Sequence, residues 1–256
     1  MAIMEVNNLC MFFGGVKAVS DINMRIRGGD IIGIIGPNGA GKTTFFNLLT
    51  GIYRPTSGEV LFHFDRSISS KQFKPHRMTQ YGVGRTFQNI RLFKEMTVIE
   101  NVLMGYHKNI SYGFLPSLLR LPSFYRKEEE AYRDCLRLLE IFNLDHKKDE
   151  LAKNLPYGEQ RKLEIARALA SRPKLLLLDE PAAGMNPNET RELTQLITWI
   201  KDEFDVTIIL IEHDMSLVMD ICKEVYVFDY GTLIASGTPE EVQNNPQVIK
   251  AYLGGE

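Results

Sequence analysis

Cysteine is scarce: Cys10, Cys135 and Cys222 are the only three in 256 residues, odd in number and free of C-x-x-C spacing. That argues against a disulfide frame and against a zinc site, and suits a reducing cytoplasm. Charge of one sign is equally lacking. With 30 Lys and Arg against 32 Asp and Glu the formal net charge is −2, so the basic footprint of a nucleic-acid binder is missing and no nucleic-acid partner is expected. No uninterrupted apolar run is long enough to span a bilayer, and Met1-Ala2-Ile3-Met4-Glu5 lacks the basic start and apolar core of a secretory leader. A membrane role is therefore expected to be peripheral. Internal repeats and low-complexity tracts are absent as well. What remains is the composition of an ordinary soluble globular protein, 44% hydrophobic and 24% charged, long enough for one compact domain with a lobe or two closely joined.

One stretch carries chemistry on its face. Gly36-Pro37-Asn38-Gly39-Ala40-Gly41-Lys42-Thr43 fits G-x-x-x-x-G-K-[ST] and directly follows Ile31-Ile32-Gly33-Ile34-Ile35, which reads as a buried strand. Glycines let the backbone bend until successive N–H groups face a phosphate, and a helix starting near Lys42 adds the positive end of its dipole. Lys42 would neutralise the outer phosphates, and the Thr43 hydroxyl would join a Mg²⁺ shell. Gly36, Asn38, Gly39, Gly41, Lys42, Thr43 and Thr44 are the candidate nucleotide-binding residues.

Short apolar runs recur at 31–35, 175–178, 206–211 and 225–228, with helical patterns between them. Such alternation predicts an α/β protein with a largely parallel sheet, whose ligands lie beyond the carboxyl ends of the strands. The strand signal fades from about Asn89 to Ala170. There Ala131, Cys135, Leu138, Leu139 and Phe142 mark one face of an amphipathic helix whose other face carries Glu128, Glu129, Arg133 and Arg137. The expected organisation is a sheet core over 1–88 and 171–256 with a helical lobe over 89–170 inserted. The aromatic stretch from Tyr106 to Tyr125 reads either as a self-packed loop or as a docking surface for another subunit. Pro239 to Leu253 predicts a short helix, a turn at Pro246 and a closing helix.

Two further strands deliver acids to the edge where the phosphate loop emerges. Leu175-Leu176-Leu177-Leu178-Asp179-Glu180 places a carboxylate pair there, read either as a helix cap or as a metal ligand, Asp179, beside a general base, Glu180. The phosphate loop tips that choice toward chemistry. The run 206–211 then leads to Glu212-His213-Asp214, where His213 is placed to hydrogen-bond a terminal phosphate. Gln88, in Arg85-Thr86-Phe87-Gln88-Asn89, marks the passage from sheet to lobe.

Taken in order, the phosphate loop, Gln88, Leu155-Pro156-Tyr157-Gly158-Glu159-Gln160-Arg161, Asp179-Glu180 and His213 resemble the ATP-binding subunit of an ABC transporter over essentially the whole chain. The resemblance implies a P-loop NTPase core of ABC type. It also implies ATP as substrate, Mg²⁺ held by Thr43, Gln88 and Asp179, and hydrolysis by Glu180 with Gln88 and His213. Residues 155–161 correspond to the family's signature peptide, which presents Gly158 and Glu159 to ATP on a second cassette. Phe13 corresponds to the aromatic that stacks on adenine, and Gly184-Met185-Asn186 to the loop linking two active sites.

Pro156 departs from the family serine and offers neither hydroxyl nor N–H, while Tyr157 replaces a glycine. The resemblance thus implies a weaker site wherever this signature completes one. Tyr81–Gln88, Glu95–Val102, Leu163–Leu169, Ala182–Pro187 and the tail Asn244–Gly254 are similar to the LivG-type subunit of branched-chain amino-acid importers. Implied partners are a LivF-like second cassette or a second copy, two transmembrane permeases and, indirectly, a periplasmic binding protein, at the cytoplasmic face of the membrane. Related cassettes for urea, amides or lipid export are the alternative. From another class, a non-transport ABC ATPase acting on DNA or ribosomes would bring long coiled coils or a second cassette. A P-loop kinase or GTPase would leave residues 155–161 and His213 without roles.

Overall fold

The computed structural model describes residues 2–110 and 122–253. It divides into two units, one running to Val83 and resuming at Lys174, the other spanning Gly84–Pro173.

In the first unit, β3 (Ile31–Ile35), β7 (Leu175–Asp179), β8 (Thr207–Ile211) and β9 (Glu224–Asp229) coincide with the apolar runs seen in the sequence. β3 pairs in parallel with β8 and β9, and β7 in parallel with β8. Burial of all five residues in β3, β7 and β8 explains why each reads as an unbroken apolar run, since helices cover a parallel sheet on both faces. The sheet runs β10-β9-β3-β8-β7-β6, where β10 is Thr232–Gly237 and β6 is Val83–Arg85, in which the chain leaves the unit. Lys174 brings it back. The amides of Lys174 and Leu175 both donate to the Gly82 carbonyl, at 2.8 and 3.1 Å.

Beside the expected parallel sheet stands a second one that the apolar runs do not announce. β1 (Ala2–Phe13), β2 (Val16–Arg27), β4 (Ser57–His63) and β5 (Ser67–Ser69) form an antiparallel sheet ordered β2-β1-β4-β5. Its strands alternate instead of running apolar. Along β2, Ile22, Met24 and Ile26 are buried while Asp21, Asn23, Arg25 and Arg27 are exposed, the pattern of a sheet with one face on the core. Both sheets and the helix Lys42–Leu49 share that core: Met4, Ile22 and Ile26 belong to it with Ile34, Phe45, Phe46, Leu177, Ile209 and Phe228. Phe45 and Phe228 meet with ring centroids 5.3 Å apart, fixing the helix against β9. The closing segment folds as Pro239–Gln243, started by a capping box between Thr238 and Glu241, and Pro246–Leu253, matching the expected pair of helices.

The second unit is helical, with helices Val98–Tyr106, Pro122–Ile141 and Tyr157–Ala170. Helix Pro122–Ile141 buries Ala131, Cys135, Leu138 and Leu139, the face that its periodicity marks. Thr97 and Glu100 form a capping box that starts Val98–Tyr106. Asn101, fully buried, accepts from the Phe93 amide and donates to the carbonyls of Phe93, Met96 and Thr97, closing the turn before that helix. Of the aromatic stretch at 106–125, residues 111–121 lie outside the described residues.

Candidate functional site

Residues 36–41 bend between β3 and the helix Lys42–Leu49 through positive φ at Gly36, Gly39 and Gly41. Space forces two of these glycines. A Cβ on Gly36 (φ 148°) would come within 2.0 Å of the Phe228 carbonyl oxygen, and one on Gly41 (φ 98°) within 2.3 Å of the Ala18 carbonyl oxygen. The loop is thus clamped between β9 and β2, and within it the Ala40 amide donates to the Pro37 carbonyl at 3.2 Å. Gly36→Ala is expected to cost about 3 kcal/mol, the upper range for a single substitution, and to lower Tm by roughly 6–12 °C. Scanning calorimetry checks this, and an unchanged Tm would show that the clamp is soft.

Lys42 is buried at 6% exposure, and its Nζ donates to the carbonyls of Gly36 and Pro37 at 2.7 and 2.9 Å. Burial pushes its ammonium pKa down, while the negative charges of Glu180 and then Asp179 pull it back up. Those carboxylates lie at the end of β7, with Asp179 itself buried at 2% exposure. Glu180 is held past the strand end by its amide on the Ile211 carbonyl (2.9 Å) and adopts φ 50°, a left-handed conformation that side chains seldom take. His213 reaches it from the end of β8, Nε2 to Oε1 at 2.8 Å. Lys42, Asp179, Glu180 and His213 therefore converge. Thr43, in the first turn of its helix, is exposed and Thr44 half-buried. Phe13, half-exposed at the end of β1, meets Tyr53 edge to face at 5.1 Å.

The remaining candidates belong to the helical unit. Gln88 is exposed, and its carbonyl accepts from Arg161 Nη2 at 2.7 Å. Arg161 Nη1 also reaches the Phe87 carbonyl at 2.6 Å and Glu164 Oε2 at 3.0 Å, and Glu164 Oε1 accepts from the Arg91 amide at 3.0 Å. Both side chains of that ion pair have zero exposure. The peptide around Gln88 is thereby tied to the helix that opens with Tyr157, Gly158 and Glu159. Pro156 is the N-cap of that helix and supplies no side-chain bond, and Glu159 receives Lys147 Nζ on both carboxylate oxygens at 2.7 Å.

Sequence reasoning gave no role to Arg161, Glu164 or Glu212. Each looks like an ordinary charged residue until burial is known. For Glu212 the available signal was an acid directly after a fully apolar strand.

The profile of the ABC transporter family matches residues 19–183, and that of the branched-chain amino acid ATP-binding cassette transporters matches residues 232–256. The chain belongs to the ABC transporter family. Within it, this ABC ATPase is 48% identical over 98% of both chains to the high-affinity branched-chain amino acid transport ATP-binding protein LivG of Escherichia coli K12. It matches BraF of Pseudomonas aeruginosa to the same degree, and is 33% identical to the lipopolysaccharide export ATP-binding protein LptB of Haemophilus influenzae over 99% of this chain and 98% of that one. Among solved structures, a nucleotide-free ATP-binding cassette from an ABC transporter superposes with a TM-score of 0.84 at 35% identity, covering all of both chains. The ADP conformation of an ABC transporter cassette gives the same TM-score at 34% identity, again over the full length of both. The family is a nucleotide-binding one. Among the described residues of this ABC ATPase no helix is long and apolar enough to cross a membrane.

Proposed function

We propose that this chain is the ATP-hydrolysing motor of an importer for branched-chain amino acids, leucine, isoleucine and valine. One observation carries the chemistry: His213 Nε2 meets Glu180 Oε1 at 2.8 Å, at the strand ends where buried Lys42 feels both Asp179 and Glu180. The amides of Gly36, Asn38, Gly39, Gly41, Lys42, Thr43 and Thr44 cradle the phosphates. Lys42 neutralises the outer phosphate charge, and Glu180 accepts a proton from the attacking water while His213 holds its carboxylate in place. The hydroxyl of Thr43 and the carboxylate of Asp179 are hard oxygen donors suited to Mg²⁺, with Gln88 as a third oxygen ligand. Bound there, Mg²⁺ would offset phosphate charge as it develops. Phe13 stacks on adenine, and Gly158 with Glu159 faces the nucleotide of a second cassette.

That second cassette is a LivF-like protein or another copy of this chain. Two permeases complete the assembly at the cytoplasmic face of the membrane, and a periplasmic binding protein supplies the cargo. Identity of 48% to LivG and BraF against 33% to LptB supports amino-acid import over lipid export. Reconstitution of the chain with its second cassette, permeases and binding protein in vesicles tests the substrate. Leucine is expected to accumulate on ATP hydrolysis and urea is not. Uptake of urea with none of leucine would overturn the substrate, and transport without ATP turnover would overturn the motor.

A further inference from the structure

Glu212 is one residue beyond β8 and Glu180 one beyond β7, on adjacent strands whose last residues, Ile211 and Asp179, are paired in register. The Glu212 carboxylate is buried at 3% exposure. Its Oε1 accepts from the Ala182 amide at 2.8 Å, and its Oε2 from the His213 amide at 3.1 Å. His213 in turn reaches Glu180 through Nε2 at 2.8 Å. Glu180 stands two residues before Ala182, so these three bonds and the intervening backbone close a ring.

We infer that Glu212 is the positioning residue of the Glu180–His213 pair, a single buried carboxylate that locks the loop after β7 to the loop after β8. The inference rests on the reading of Glu180 and His213 as the hydrolytic pair. It follows from geometry. His213 is 42% exposed on its side chain, and the Glu180 backbone has one tie to β8, its amide on the Ile211 carbonyl at 2.9 Å. The Glu212 carboxylate adds a second tie two residues on, at Ala182, and fixes the His213 amide with the same group. The group is costly to keep: burial pushes the Glu212 carboxyl pKa up, the amides of Ala182, His213 and Asp214 pull it down, and the charge of Glu180 pushes it up again. An acid buried at that cost and bonded to the amides that follow both strands is placed for alignment.

Glu212→Gln preserves shape but turns an amide donor toward one of the two N–H groups, so one link of the ring is lost. Glu212→Asp keeps the charge and is one methylene too short to span both. In the assembled transporter each variant is expected to lower kcat roughly tenfold to a hundredfold, the effect of a displacement of about 1 Å at a reacting group, with the KM for ATP unchanged. Melting temperature is expected to fall by only a few degrees, about 2–4 °C for one lost buried link, and the affinity of the isolated subunit for ATP to stay at the wild-type value. A wild-type kcat in both variants overturns the proposal, and so does a fall in kcat accompanied by equal losses in ATP affinity and melting temperature, which marks a general packing role. Should the variants fail to fold, amide hydrogen exchange on the wild-type protein decides: Ala182, a loop residue, is expected to be protected, and fast exchange there overturns the ring. Glu180→Gln run alongside separates the two readings. If that variant turns over normally, the hydrolytic pair itself is wrong; if it is dead while the Glu212 variants are active, only the positioning role falls.

Discussion

Glu180→Gln is expected to abolish ATP turnover while leaving nucleotide affinity within about threefold. General-base catalysis by a positioned carboxylate contributes typically ~10²–10⁴-fold, and the substitution removes that contribution with little else. Glutamine is nearly isosteric, and its carbonyl oxygen still meets His213 Nε2, which stands 2.8 Å from Oε1. The backbone anchor, Glu180 N–H to the Ile211 carbonyl at 2.9 Å, does not involve the side chain. The phosphate loop keeps its geometry, since Lys42 is held by the carbonyls of Gly36 and Pro37, and Asp179 remains as a negative charge acting on its ammonium. Phosphate release by the assembled transporter and equilibrium binding of ATP to the isolated chain measure the two halves of this expectation. A variant that hydrolyses at the wild-type rate would remove Glu180 from its role. One that loses binding and turnover together would make Glu180 a structural residue.

The second large effect lies in the helical unit. Arg161→Ala strips at least four bonds, to the carbonyls of Phe87 and Gln88, to Glu164 and to the Tyr157 hydroxyl, and leaves the Glu164 carboxylate without its cation at zero exposure, with the Arg91 amide still on Oε1. Breaking a buried pair by removing one partner costs about 3–5 kcal/mol, because the remaining charge stays desolvated. The unfolding transition of this unit in urea is expected to shift by that amount. Arg161→Lys does not rescue it, since a point charge cannot span two carbonyls and a carboxylate as a planar fork does. Beyond stability, the loss frees the peptide around Gln88 from the helix that carries Gly158. Stimulation of ATPase activity by the permeases is therefore expected to drop even at temperatures where the variant is folded. A shift in stability under 1 kcal/mol, well below the range for a stranded buried charge, would show that water reaches Glu164 once the guanidinium is gone.

Legibility in the sequence followed burial geometry. Strands β3, β7 and β8 are buried on both faces, so their apolar runs announce them without reference to the rest of the chain. Helix Pro122–Ile141 shows its buried stripe at helical spacing for a similar reason. The antiparallel sheet escaped a search for runs because half of each strand faces water. Its alternation is plain along Ile22, Met24 and Ile26, yet shifts of register break β1 between Val6 and Leu9 and again near Met11. Charged residues were the hardest to place. Arg161 and Glu164, three apart on a helix, share that spacing with the far more exposed pair Asp134 and Arg137. Which pair is buried depends on what packs over it. The phosphate loop was legible because its glycines are demanded locally by φ and by the backbones of β2 and β9. The contact of His213 with Glu180 joins residues 33 apart, and only the register of β7 on β8 creates it.

The Gly82 carbonyl, accepting from both Lys174 and Leu175, brings the chain's point of departure and its point of return within one hydrogen bond of each other. Residues 84–173 lie in the chain between those two points. Closing a flexible loop costs only ~0.6 kcal/mol more for each doubling of its length, so the sheet is nearly indifferent to how much polypeptide is threaded through the opening. The fold thus tolerates inserted chain of varied length at this opening, while Gln88, Gly158 and Glu159, which lie within the insertion, tie part of it to the nucleotide chemistry.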